Sequence, residues 1–392
     1  MPVTPHVAHL TPAYLPILGG KETHIHNLVS GMGDFTFTVV TSKTWAQPPT
    51  DMSDRRVHVQ RIGPPDFFQG PRSISVPPSV ERLISGLSSA FRLTRQRKIV
   101  ERTDVDVVHS HWSDIEFVEA FRRFVSRESR ERILEKTLRL ATFAKPTVFT
   151  DHSMFMQVPL WPERMLLRHA LANYDAVVCV EREGAARAGM MSEEIGDSAQ
   201  IEYIPNSVDC DVFRPRDNDE HNRRTVCFIG RANKSHSLVL ELCRRLNDAR
   251  FLLVIAGDRR SLKKWRSLPS ARVRLFENAF PWELPAILRE ADVVLNPILY
   301  HGISRVTLEA LASGVPVVSA EGQGRYPLVN ERTGLIVSPT SHAFEKALIS
   351  LLADDASRRA FGRAGRAIVE REFSNSVVLP KLAQLYRSLA QG

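Results

Sequence analysis

The chain has 392 residues, 43% hydrophobic and 24% charged, which is the balance of an ordinary globular protein long enough for two cores. Lysine and arginine outnumber aspartate and glutamate by 52 to 44, and this net charge of +8 suits anionic small molecules or an anionic surface, while the lack of tight basic clusters interleaved with aromatics argues against a nucleic-acid partner. No apolar run reaches the ~18 residues of a spanning helix, Met1-Pro2-Val3-Thr4-Pro5-His6 has no signal-peptide pattern, and Cys179, Cys210, Cys227 and Cys243 form no Cys-x-x-Cys pair, so the expectation is a cytoplasmic or peripheral protein with reduced, largely buried thiols.

Short β-rich runs alternate with longer helical stretches. Residues 7–10 read as a strand, and the loop after them ends at Gly19-Gly20 before a helix over about 22–32. Strands follow at 35–41 and 57–62, a helix at 81–103, and a buried strand at 105–109. A charged helix or helix pair covers about 114–142, and 147–150, 176–180 and 201–204 read as further strands. Strands alternating with helices indicate a parallel, doubly wound sheet.

A polar stretch from Asn206 to Arg224, with Pro205 and Pro215, interrupts the pattern and reads as a linker. The alternation then restarts: strand 226–229, helix 236–246, strand 251–256, helix 282–290, strand 293–295, helix 305–313, strand 315–318, and helices from about 341 to 390. Gly314 suits the left-handed position that ends a helix. The expected fold is α/β, with two Rossmann-like doubly wound domains facing across a cleft. Residues 1–212 form the first domain, 213–374 the second. Ligands of open α/β sheets sit beyond the carboxyl ends of the strands, so a nucleotide is expected on one wall and an acceptor on the other.

Two segments carry residues suited to a phosphorylated ligand. Gly230-Arg231-Ala232-Asn233-Lys234 directly follows a strand. A glycine there lets the backbone turn, and Arg231 and Lys234 supply a planar fork and a compact cation for a diphosphate. The second segment is His301-Gly302-Ile303-Ser304-Arg305 running into a helix that carries Glu309. The helix start near Ser304 favours an anion, and a carboxylate such as Glu309 can accept two hydrogen bonds from a ribose diol.

Together these strings resemble glycosyltransferase family 4, the large retaining family that includes bacterial mannosyl- and glucosyltransferases. The resemblance takes in Gly19-Gly20-Lys21-Glu22 and Ile204-Pro205-Asn206-Ser207-Val208-Asp209 with Phe213 and Pro215. It continues through Gly230-Arg231 with Lys234, Ala256-Gly257-Asp258, Glu309-Ala310, the run Gly314 to Val318, and Thr333 to Val337. It implies the two-domain fold called GT-B and transfer of a sugar from a nucleotide donor without a divalent metal or other cofactor. The donor would be a UDP-sugar or, next, GDP-mannose; the acceptor would be a glycan, a lipid or a small molecule. By the same resemblance Arg231 and Lys234 grip the diphosphate, Glu309 binds the ribose, Gly20 lies in a loop near the phosphates, and His152 contacts the donor sugar. Gly230, His301, Gly302, Ile303, Ser304 and Arg305 complete the donor site, and the last helix, about 375–392, returns to the first domain. The sequence departs from the pattern at three places. His301 stands where a second Glu is usual, the loop between Arg231 and Lys234 is about two residues short, and Pro327 replaces a frequent Glu. An epimerase or phosphorylase on this scaffold, or a non-catalytic sugar-nucleotide module, are the competing readings.

Three further features need a reading. The string Val148-Phe149-Thr150-Asp151-His152-Ser153 with Phe155 resembles the N-acetylglucosaminyltransferases of glycosylphosphatidylinositol synthesis. His109-Ser110-His111 could offer two imidazoles on one strand face to Zn, but no cysteine or carboxylate cluster joins them, so a local strand end is expected; Asp104-Val105-Asp106 leads into a strand rather than following one, which argues against a metal motif. Basic helices near 91–98 and 121–132 could lie on an anionic bilayer, although acids such as Glu128, Glu131 and Glu135 offset their charge.

Overall fold

The computed structural model describes the chain apart from residues 1–3, 44–53, 66–91, 112–125, 156–160, 197–198, 217–223, 233–235, 270, 300–301, 323–325 and 392. The described residues group into two units, one comprising Met1–Ile17, Lys21–Pro205 and Leu379–Gly392, the other Leu18–Gly20 and Asn206–Val378.

The first unit is built on seven parallel strands: β1 (His6–Leu10), β2 (Thr36–Lys43), β3 (Val57–Pro65), β4 (Val107–Ser110), β5 (Thr147–Asp151), β6 (Ala176–Cys179) and β7 (Gln200–Tyr203). They lie in the order β3-β2-β1-β4-β5-β6-β7. Strands β4, β5 and β6 are buried at every residue, as expected of a parallel sheet covered on both faces. Helix α1 spans Gly20–Gly31, α2 covers 92–102, and α3 spans Arg127–Leu138. The start of the predicted 81–103 helix and much of the predicted 114–142 helix lie outside the described residues. Helices α4 (Trp161–Asn173) and α5 (Arg182–Ile195) were not read from the sequence. They bury Leu167, Ala170, Leu171 and Ala188 against Phe149, Val177 and Cys179 of the sheet.

The second unit repeats the plan with six parallel strands: β8 (Thr225–Arg231), β9 (Arg250–Ala256), β10 (Val273–Glu277), β11 (Val293–Asn296), β12 (Val317–Ala320) and β13 (Gly334–Val337). Their order is β10-β9-β8-β11-β12-β13. Its helices are α6 (His236–Arg245), α7 (Lys263–Arg266), α8 (Leu284–Arg289), α9 (Arg305–Ala312), α10 (Ser341–Ala353), α11 (Asp355–Glu372) and α12 (Asn375–Gln391). Thr340 and Asp354 cap α10 and α11 by accepting the N–H groups of Ala343 and Ser357, so each helix start follows from a capping residue. Gly314 adopts φ +69°, the left-handed turn that stops α9.

The chain enters the second unit earlier than the sequence pattern suggests. Val208 bridges Ser374, with its N–H donating to the Phe373 carbonyl at 2.9 Å, and Phe213 joins the apolar core of this unit. Much of the polar stretch read as a linker is thus structural wall. At the other end, α12 from Leu379 onward groups with the first unit. There Tyr386 is fully buried against Phe35 and the His109 ring, and Arg387 lies over Phe35 and donates to Asp34.

Candidate active site

Each sheet has one point where strand order reverses and the connections leave in opposite directions, the place where open α/β sheets hold ligands. In the second unit it falls between β8 and β11, which pair through Val226–Val293 and Phe228–Leu295. Gly230 and Arg231 close β8, and Gly302, Ile303 and Ser304 follow β11 and lead into α9. The structure therefore brings the two phosphate-type segments to one edge of one sheet. Lys234 and His301 lie outside the described residues.

One expectation changes here. Gly230 does not form a turn, because β8 continues through Arg231, with Gly230 paired to Ile255 and Arg231 to Ala256. A Cβ at Gly230 would meet the Phe228 ring at 2.7 Å, so the glycine gives that ring room. The turn is made at Gly302, with φ +101°. Arg231 is exposed, and Ile303 packs on the apolar core. Ser304 is the N-cap of α9, yet its hydroxyl makes no capping hydrogen bond.

Glu309 is not on a solvated helix face. It is 2% exposed, with Oε1 3.4 Å from Nη2 of Arg305, one turn earlier on α9. Burial raises the Glu309 carboxyl, opposed by the charge and hydrogen bond of Arg305. Burial lowers the Arg305 guanidinium, opposed by Glu309. Arg305 Nη1 also donates to the Ser207 carbonyl at 3.2 Å. Arg305 is thus an internal counter-ion that ties α9 to the 206–208 segment rather than a cation facing solvent. Asn206 is buried nearby in sequence, with its Oδ1 lacking a hydrogen-bond partner among the described residues.

In the first unit the reversal falls between β1 and β4. His9 and His109 are register neighbours there. Five histidines meet at this edge: His9 of β1, His24 of α1, His109 and His111 at the end of β4, and His152 just after β5. His9 Nδ1 lies 2.8 Å from His111 Nε2, and His111 Nδ1 lies 3.3 Å from His152 Nε2. His109 is held on both nitrogens, by Tyr386 Oη and by Thr150 Oγ1 at 2.6 Å. Burial pushes His9 down to about 3 and holds His109 and His111 well below the usual imidazole range, helped by the neighbouring rings. His109-Ser110-His111 is thus part of a cluster and not an isolated strand end. The sequence signal for His9 was a lone imidazole within the apolar run Val7-Ala8-His9-Leu10; His24 gave none, since only the folding of α1 onto the sheet edge brings it there.

Beside the cluster, Asp151 is buried and accepts the backbone N–H groups of Met154 at 2.8 Å and Phe155 at 3.3 Å. Burial raises its carboxyl to about 7 against those hydrogen bonds. The Asp104-Val105-Asp106 string is structural, with Asp106 accepting the His6 N–H at 2.7 Å. Arg92, read as part of a membrane-facing basic helix, is instead buried and reaches Ser42. Phe91 and 121–125 lie outside the described residues. Among the described residues no helix is long and apolar enough to cross a membrane, and all four cysteines are free thiols.

Two family models match the chain. Residues 18–212 match Glycosyltransferase Family 4 and residues 223–354 match Glycosyl transferases group 1. The chain belongs to glycosyltransferase family 4. It is thus a glycosyltransferase with the GT-B type of fold, two parallel-sheet α/β domains. The GPI3 subunit of phosphatidylinositol N-acetylglucosaminyltransferase from Saccharomyces cerevisiae is 25% identical over 343 residues, spanning 81% of this chain and 68% of that one. D-inositol 3-phosphate glycosyltransferase of Corynebacterium glutamicum is 40% identical over 227 residues, 50% of this chain and 54% of the relative. Among solved structures, Anabaena HepE in complex with UDP and glucose shares the fold at a TM-score of 0.67 and 15% identity, covering 98% of this chain and 99% of that chain.

Proposed function

We propose that this glycosyltransferase moves a hexosyl group from a nucleoside diphosphate sugar, UDP-linked in first place and GDP-mannose next, to an acceptor hydroxyl with retention of anomeric configuration. The observation that carries the reading is Glu309, buried beside Arg305 at the β8/β11 edge, where a ribose diol would give its carboxylate the hydrogen-bond donors it needs. Arg231 and Lys234 take the diphosphate, with Gly230 holding the end of β8 beside them and the start of α9 at Gly302, Ile303 and Ser304 supplying backbone N–H groups. Gly20, first residue of α1, contributes a second helix start. No metal is required, because these cations and helix dipoles meet the charge that develops on the leaving phosphate.

His152 donates to a hydroxyl of the transferred sugar, and His301, in place of the usual carboxylate, contacts another and sets sugar preference. In the transfer step the acceptor oxygen attacks the anomeric carbon from the face the nucleotide leaves. The bond from the anomeric carbon to the phosphate oxygen breaks, and that oxygen takes the acceptor proton. Both named relatives act on inositol-containing molecules by their names, which supports an inositol-ring hydroxyl as the acceptor, taken on the first unit.

A thermal-shift panel of sugar nucleotides tests the donor. The preferred donor at ~100 times its dissociation constant should add about 2.7 kcal/mol of stability. Transfer with that donor to an inositol phosphate and to phosphatidylinositol, read by NMR of the new anomeric centre, tests acceptor and stereochemistry. An inverted product refutes retention, and turnover only on acceptors without inositol refutes that assignment.

A further inference from the structure

The histidine cluster of the first unit offers more than the sugar contact proposed for His152. We infer that His24, His111 and His152 form a binding site for one divalent transition-metal ion of the Zn2+ class. The ligand nitrogens of these three residues all lie within 4.8 Å of one another. His111 Nδ1 and His152 Nε2 stand 3.3 Å apart. Two nitrogens bound to one tetrahedral Zn2+ at about 2.0–2.1 Å are separated by about 3.3–3.4 Å, so this pair already spans one edge of such a site. All-imidazole sets with an open fourth position suit Zn2+, Co2+, Ni2+ and Cu2+ and disfavour Mg2+ or Ca2+, which want oxygen.

A second triple, His9, His109 and His111, is equally compact. There His109 has both nitrogens engaged by Tyr386 and Thr150. His9 instead completes the first triple from behind. Its Nδ1 lies 2.8 Å from His111 Nε2, so a proton on Nε2 of His111 donated to His9 leaves Nδ1 of His111 as a lone pair facing His152. Such outer partners fix the tautomer of a ligating imidazole. His9 is fully buried, and its Nε2 has no hydrogen-bond partner among the described residues. His111 is fully buried and His24 nearly so, while His152 is only half-buried and gives an entry path.

The inference stands on ring geometry alone and holds whatever the donor or acceptor proves to be. Untagged full-length protein, stripped with a chelator and dialysed, is titrated with Co2+ and read by its visible d–d absorption. The expected result is saturation at one ion per chain, with tetrahedral band intensity, and loss of the bands on adding Zn2+. His24→Gln and His152→Gln should each weaken Co2+ binding at least tenfold while keeping the circular dichroism of the parent. His342→Gln, at an exposed position on α10 of the other unit, should leave binding unchanged. Absence of the bands in the parent protein, or equal Co2+ affinity in a folded His24→Gln/His152→Gln double variant, overturns the assignment.

Discussion

At the scale of single residues, burial separates groups that position from groups that act. Arg231 is exposed at the end of β8, so Arg231→Ala should leave the melting temperature unchanged. It should lower kcat about 10²–10³-fold, the usual cost of removing one donor that stabilises transition-state charge. Steady-state kinetics beside a thermal melt separate the two effects. Glu309 is a different case, because deleting its side chain would strand the buried Arg305 guanidinium. Glu309→Gln keeps an acceptor for Arg305, and it should raise the dissociation constant of the donor by about 10–100-fold, the loss of a charge-assisted hydrogen bond worth about 1.5–3 kcal/mol. Titration calorimetry with the donor checks this. An effect on stability alone would mean that Glu309 serves only the fold.

At the scale of elements, the close crossing of α9 and α11 holds the candidate donor site in place. Gly362 lies on the Gly314 carbonyl so tightly that any Cβ would clash with backbone. Arg366 of α11 clamps the same region, donating to the Phe213 carbonyl at 2.6 Å and to the Cys210 carbonyl at 3.0 Å. Gly362→Ala should therefore push α11 off α9 and cost about 1–3 kcal/mol, typical of overpacking, measured as a lower urea midpoint. Strand and helix alternation was legible in the sequence because buried parallel strands are short apolar runs, such as Val293 to Leu295. Strand β10 escaped because Arg274 interrupts its apolar residues and Glu277 ends them. The two segments that meet at the β8/β11 edge were legible through local strings. What those strings could not reveal is the contact of Arg305 with Ser207, 98 positions apart, or the meeting of His9, His24 and His152 with His111, which arises only when β1, α1, β4 and β5 assemble.

For the whole molecule, acid should act first on the unit that holds the histidines. His9 titrates near 3 when folded, against 6.5 for a free imidazole. As pH falls below 6.5 the unfolded chain takes up protons before the folded one, so stability present above 6.5 is lost toward pH 3. The His9 contribution alone is on the order of 5 kcal/mol at full loss, and His109 and His111 act in the same sense. Asp151 opposes them. Its carboxyl, raised to about 7 from 3.8, favours the folded state as pH falls through that window. Denaturant titrations from pH 8 to pH 4 should show falling stability, and Asp151→Asn should steepen the fall. A flat profile would mean that the imidazoles are solvated.

The return of α12 has a consequence for how the protein is made. The first unit lacks Tyr386, the hydroxyl that holds His109, until the 277 residues that separate the two have been synthesised. The second unit, by contrast, has residues 206–378 in hand earlier. During synthesis, then, the sheet of the first unit waits unfinished until α12 has been made.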